Sequence, residues 1–155
     1  MPRIKVVSLC ALFVVTGCMI PNSKEQLAES LHKYNAAVRW GAMDWAVEHV
    51  APDKRNELLA RRAEFGELQV TECLVGAVKL KNKDEALAMV RVDWYLTSTL
   101  KVRTSFIEQS WRRKSGKWMI TAQRLVRGAP YPLLLESPEK RRFKQQETWP
   151  KVTLK

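Results

Sequence analysis

Three thiols, two imidazoles and a few carboxylates set in strand-forming sequence are the groups of this 155-residue chain with the reactivity for chemistry. The thiols are Cys10, Cys18 and Cys73. Cys18 follows an apolar run and has the small Gly17 before it, a place where a thiolate could act as a nucleophile. Cys73 sits in a β-rich stretch with no histidine close in sequence, the pattern of a core thiol. His32 and His49 both fall off the apolar stripes of their helices. No Cys pair, zinc-type His motif or acidic calcium-type loop accompanies them, so no metal site and no cofactor is expected. Ser110 lacks the glycine-flanked turn of a hydrolase nucleophile. Acid–base work is left to Glu72, Asp93 and Glu108, and would require one of them to lie in a pocket that shifts its pKa. No catalytic residue is assigned.

The setting of Cys18 is more specific. Arg3 and Lys5 precede ten mostly apolar residues, 6–15 (VVSLCALFVV), the layout of a secretory signal. A membrane span needs about 18–20 apolar residues, and no run in the chain reaches that length. The run continues into Val15-Thr16-Gly17-Cys18, which resembles the bacterial lipobox. That resemblance implies a diacylglyceryl thioether on Cys18, cleavage between Gly17 and Cys18, and an exported chain anchored to a bacterial membrane. Met19 in place of Asp after the cysteine favours the outer membrane, facing the periplasm. With Cys18 modified and residues 1–17 removed, Cys73 has no partner for an intramolecular disulfide, so the domain must rest on its core.

The elements that would position these groups change period along the chain. Ser23 and Gln26 read as a capping box, followed by Leu27, Leu31, Tyr34 and Val38 on one helical face. A second helix carries Met43, Ala46, Val47 and Val50 and ends at Pro52; a third begins near Asp53 and ends at Gly66. Residues 68–80, 86–96, 101–112 and 117–127 then read as strands. Ser115-Gly116 forms a two-residue turn that pairs Lys114 with Lys117 and Trp111 with Ile120. An unbroken alternation puts Ile107, Gln109, Trp111, Trp118, Ile120, Ala122 and Arg124 towards the helices, and Phe106, Glu108, Ser110, Met119, Thr121 and Gln123 away from them. Helices first and strands afterwards imply an α+β fold, N-terminal helices packed on a curved antiparallel sheet of about four strands.

This order, with the hairpin residues Trp111, Gly116, Lys117, Trp118 and Ile120, resembles the nuclear-transport-factor-2-like superfamily, which includes polyketide-cyclase-like enzymes. The resemblance implies a cone-like, cystatin-like roll over residues 24–127, after a signal peptide (1–17) and a lipidated tether (18–23), and before a proline-rich basic tail (128–155). It also implies a cone interior lined by Tyr34, Trp94, Gln109, Trp111 and Arg124, either an open pocket or a filled aromatic core. Enzymes of the superfamily often place His or Asp on the last strands; Ala122 and Arg124 stand there. The expectation is therefore a non-enzymatic binding or accessory module. The alternatives are an isomerase or cyclase using Glu72 or Asp93 as base, and a structural subunit docking through the strand face of Phe106 and Met119.

Charge bears on the partner. The formal net charge is +11, and residues 101–127 hold eight Lys or Arg against one acid, Glu108. Arg112, Arg113, Lys114 and Lys117 cluster around the hairpin turn, and Lys140, Arg141, Arg142 and Lys144 flank Phe143 in the tail. Behind an export signal nucleic acid is not an available partner. The expected contacts are a membrane, through the lipid and through anionic lipid headgroups, or an acidic envelope protein. The sequence specifies no oligomeric state.

Overall fold

The computed structural model describes residues 22–135. Gly17, Cys18 and most of the basic tail lie outside these residues.

Helix α1 spans Ser23–Arg39. Its cap is Asn22, one residue earlier than the Ser23 cap expected from the sequence. The Asn22 Oδ1 accepts from the backbone N–H of Lys24 (2.9 Å) and Glu25 (3.1 Å), and the Glu25 carboxylate accepts from the Asn22 N–H (3.1 Å). Asparagine is at least as good a cap as serine, and the acid at the third helical position completes the box. Leu27, Leu31, Tyr34 and Val38 are buried at the expected spacing. The second helical segment differs from expectation. It is one α-turn, α2 (Met43–Ala46), then a 3-10 turn, Val47–His49, and Val50 is already extended. Pro52 explains this: a residue before proline avoids the helical region, and Ala51 has φ −55° and ψ 138°. Pro52 then opens helix α3 (Pro52–Glu64) at a position where a missing N–H costs nothing.

Four strands follow, β1 (Leu68–Leu80), β2 (Glu85–Leu96), β3 (Arg103–Lys114) and β4 (Lys117–Gly128). They form one antiparallel meander in the order β1-β2-β3-β4. β3 begins two residues later than the sequence implies, because the chain turns through Leu100 at φ 52° before Arg103 pairs with Trp94. At the β3–β4 turn Ser115 and Gly116 have φ of 50° and 78°, the left-handed pair of a type I′ hairpin. Serine carries a Cβ in that region. Ser115→Asn is expected to stabilise the domain by about 0.5–1 kcal/mol, read as a higher urea midpoint at unchanged slope.

The hairpin register runs as expected from Lys114↔Lys117 to Trp111↔Ile120. It then slips: Ser110 pairs with Ala122, leaving Thr121 as an extra residue. The bulge reverses the faces of β4 beyond it. Gln123 turns inward and is buried, whereas Arg124 is exposed opposite Glu108 on the outer face.

The helices cover the inner face, where Ala86, Ala88, Val90, Val92, Ile107, Trp111, Trp118 and Ile120 meet Leu27, Leu31, Tyr34 and Leu58. Residues 129–135 fold back over the same core, burying Tyr131, Leu133 and Leu135. Gly128 makes that return, with φ 93° and the Ala129 N–H donating to the Thr104 carbonyl (2.9 Å).

Candidate functional site

Four of the five expected interior residues converge. Tyr34 from α1, Trp94 from β2, and Gln109 and Trp111 from β3 are each exposed by 2 % or less. The Tyr34 and Trp111 rings meet edge to face, centroids 5.9 Å apart and planes at 83°. Arg124 does not join them, since the bulge at Thr121 sends it to the outer face, where its guanidinium donates to Glu108 (2.9 Å). Its place inside is taken by Gln123.

Polar atoms in this interior are tied to one another. The Asn35 amide donates to the Leu31 carbonyl (2.8 Å), Gln109 donates to Asn35 Oδ1 (2.9 Å), and the Trp111 indole donates to Gln109 Oε1 (3.2 Å). The Trp94 indole donates to Ser105 Oγ (2.9 Å), which donates to the Ala129 carbonyl (2.6 Å). Gln123 Oε1 accepts from the Leu135 N–H (3.0 Å), and the Gln123 N–H donates to the Leu135 carbonyl. Tyr131 adds its ring edge to Trp94 (centroids 6.2 Å), leaving a buried hydroxyl without a hydrogen-bond partner. Apart from that hydroxyl, networks of this kind hold side chains in single positions. The interior is a core of buried aromatic and amide side chains, closed on one side by residues 129–135.

Asn35, Ser105 and Gln123 were not singled out from sequence. Asn35 lies one position past Tyr34 on the buried stripe of α1, a readable signal; Gln123 carried none, because its direction depends on the bulge.

The candidate acids face elsewhere. Asp93 lies on the outer face, where Arg91 and Thr104 both donate to its carboxylate. Burial alone would raise its pKa, but the hydrogen bonds from Arg91 and Thr104 and the Arg91 charge outweigh it and hold the carboxyl below its ordinary value. The stabilisation is therefore complete above the ordinary carboxylate pKa and fades as the pH falls through the lowered native value. Asp93→Asn is expected to flatten the loss of stability between about pH 5 and pH 2, measured by urea unfolding at each pH. Glu108 is paired with Arg124, and Glu72 sits opposite Asp93 on β1. Cys73 is half-buried opposite Val92, and burial pushes its thiol up to about 12. It stays protonated at neutral pH, and slow alkylation in the folded protein against rapid alkylation in denaturant is the expected signature.

Among the described residues no group of three or more His, Cys, Asp and Glu side chains is placed to hold a metal. His32 is exposed on α1. His49 is half-buried in a groove of about 610 Å³ between α1, the 3-10 turn and the β3–β4 turn, with Glu29, Lys33, Arg55, Lys117 and Trp118 among its walls. Burial, with the nearby Lys33 charge, lowers its pKa and favours the neutral imidazole. Lys33 is paired with Glu29 (2.6 Å), so this groove offers hydrogen-bonding groups of both signs to a small polar molecule.

The four cations expected to act together are divided by the pleat. Arg112 lies outward and pairs with Glu85 (3.1 Å). Arg113 lies inward and donates to Gln26 Oε1 on α1 (3.1 Å). Lys114 and Lys117 are exposed on either side of the turn. The Trp118 indole donates to the Ser23 carbonyl (3.0 Å), so the first turn of α1 is fixed beside this turn at two points. On the outer face Phe106 lies under the Arg127 guanidinium, 3.9 Å from the ring centroid, and Met119 is half-buried.

The chain matches no family model and no curated protein. Solved structures do resemble it. A SEC-C motif containing protein from Rhodopseudomonas palustris superposes with a TM-score of 0.54 at 16% identity, covering 68% of this chain and 89% of that one. An NTF-2 like protein of unknown function from Shewanella oneidensis MR-1 gives a TM-score of 0.53 at 15% identity, covering 66% of this chain and 97% of that one. Identities this low speak to architecture alone. Three helical segments packed on a four-stranded antiparallel meander give this chain the α+β fold of that NTF-2 like protein.

Proposed function

We propose that this chain is an exported lipoprotein, anchored through Cys18 to the outer membrane, whose domain is a non-enzymatic binding or accessory module working at the lipid surface. One observation carries the reading. The start of α1 is clamped to the β3–β4 turn by Trp118 and Arg113, so the chain enters the fold beside Lys114 and Lys117. Cys18 is four residues before Asn22, a reach of about 14 Å when extended. A lipid on Cys18 would therefore hold the two exposed lysines at the headgroups. Each basic residue near an anionic surface contributes about 1 kcal/mol. The buried amides of the interior bonded to one another, with Asp93 and Glu108 paired on the outer face, support a role without chemistry of its own.

Mass spectrometry of the native protein tests the anchor: a chain beginning at Cys18 with added acyl groups is expected, and Cys18→Ser should abolish that species. An unmodified chain retaining residues 1–17 overturns the reading. The surface contact is tested with the Cys18→Ser chain and vesicles of phosphatidylglycerol or phosphatidylcholine. Replacing Lys114 and Lys117 by Glu should weaken binding to the anionic vesicles by at least about tenfold, and added salt should do the same. Equal binding to both vesicle types removes the lysines from the proposal.

A further inference from the structure

The order of the strands leaves two edges, and among the described residues only that of β4 has further backbone along it. Along β4, Val50 bridges to Ile120, the Ala51 N–H donates to the Ile120 carbonyl, and Leu135 pairs with Gln123. Among the described residues β1 has no strand on its outer side. It is thirteen residues long and carries Leu74, Val75, Val78 and Leu80, exposed by 46, 39, 46 and 36 %. A long apolar edge of this kind pairs readily with another strand, and proteins normally blunt it. A bulge sets Gly76 and Ala77 against Met89, which turns Val75, Val78 and Leu80 to one face.

The charges on this strand fit a copy of itself. Glu72 lies near one end of the apolar stretch, opposite Asp93, and Lys79 near the other, opposite Leu87. Asp93 and Leu87 are both outer-face positions of β2, so Glu72 and Lys79 project from the same side of the sheet. Neither forms an ion pair with another described residue. An antiparallel pairing of β1 with β1 about an axis at Val75, with Gly76 and Ala77 together opposite the partner's Leu74 as they are opposite Met89, sets Glu72 opposite the partner's Lys79, and by symmetry Lys79 opposite the partner's Glu72. The same register puts Cys73 opposite the partner's Val78, inner face against inner face. A two-fold interface requires this self-complementarity, one patch supplying both charges in reciprocal order.

We propose that β1 is the interface of a homodimer in which two four-stranded sheets join edge to edge into one of eight strands. Backbone hydrogen bonds supply the pairing, the exposed apolar side chains are covered in it, and the two reciprocal ion pairs fix its register. Opposite charges facing across a strand pair favour it and like charges disfavour it, so charge exchange is a direct test.

The experiment is sedimentation equilibrium of the full chain carrying Cys18→Ser, under reducing conditions, so that neither lipid nor disulfide drives association. The chain should be dimeric. Glu72→Lys and Lys79→Glu should each weaken the dimer by about tenfold or more, and the double exchange Glu72→Lys with Lys79→Glu should restore it. Lys79 is exposed and Glu72 half-buried, and circular dichroism of each variant confirms folding. A monomer at concentrations up to about 100 µM overturns the proposal. So does a dimer indifferent to the single exchanges, or one that the double exchange does not rescue.

Discussion

Gly128→Ala should lower the unfolding free energy by about 2–3 kcal/mol and shift the thermal midpoint downward by ten degrees or more, on the order expected for a domain of this size. Two independent effects act at this position. The backbone has φ 93°, a conformation that an L side chain rarely adopts. A Cβ built there would lie 2.3 Å from the Thr104 carbonyl oxygen and 3.2 Å from the Ser105 Cα. Both neighbours are backbone of the adjacent strand, so no rotamer change relieves the overlap. Relief requires β4 to part from β3 at its end, or the chain to leave in a different direction. The second route withdraws Tyr131, Leu133 and Leu135 from the core. Gly116→Ala is the control: it has φ 78° but no atom within 4 Å of its added Cβ, so it should cost the backbone contribution alone, about 1 kcal/mol. Equal losses for the two variants would show that the contact with Thr104 does not matter.

Trp111→Ala is expected to cost about 3–5 kcal/mol, enough to unfold a domain of ordinary stability near 37 °C. Trp111 is 2 % exposed, stands edge-on to Tyr34, and donates to Gln109, which is itself bonded to Asn35 on α1. It therefore joins sheet to helix both through packing and through the amide chain. Trp111→Phe keeps much of the apolar volume and should cost about 1–2 kcal/mol, part of it from the Gln109 carbonyl losing one of its two donors. If the two substitutions destabilise equally in chemical denaturation, the hydrogen bond and not the packing is the main contribution.

Much of this architecture could be read from residue order. Alternation in 86–96 placed β2 to within a residue, and Ser115-Gly116 set the hairpin register as far as Trp111 and Ile120. Leu27, Leu31, Tyr34 and Val38 marked the buried stripe of α1, and Tyr34, Trp94, Gln109 and Trp111 marked the interior. The failures have a common physical origin. A bulge uses up one residue without a compositional signature, and Thr121 is an ordinary strand residue. Beyond it the alternation continues with reversed sense, so Arg124 was placed inside and Gln123 outside. Period-two alternation likewise separates neighbours such as Arg112 and Arg113, which a tally of charge along the chain lumps together. The exposed apolar character of β1 was hidden for another reason. Leu74, Val75, Val78 and Leu80 look like core residues until the strand order shows that β1 is an edge.

The return of residues 129–135 has a bearing on how the chain must be made. The core contacts it completes join segments far apart along the polypeptide: Gln109 with Asn35, Trp118 with Ser23, and Gln123, which holds Leu135, with Tyr34. Loops this long close slowly, and contacts between distant segments delay folding until most of the chain is present. Leu133 and Leu135 are synthesised last among the described core residues, so a polypeptide still emerging from the ribosome short of residue 131 has Trp94 without the Tyr131 ring that packs against it. Premature termination near residue 130 should thus yield a species held by chaperones and cleared by proteases, whereas stopping just after Leu135 leaves every described core contact available.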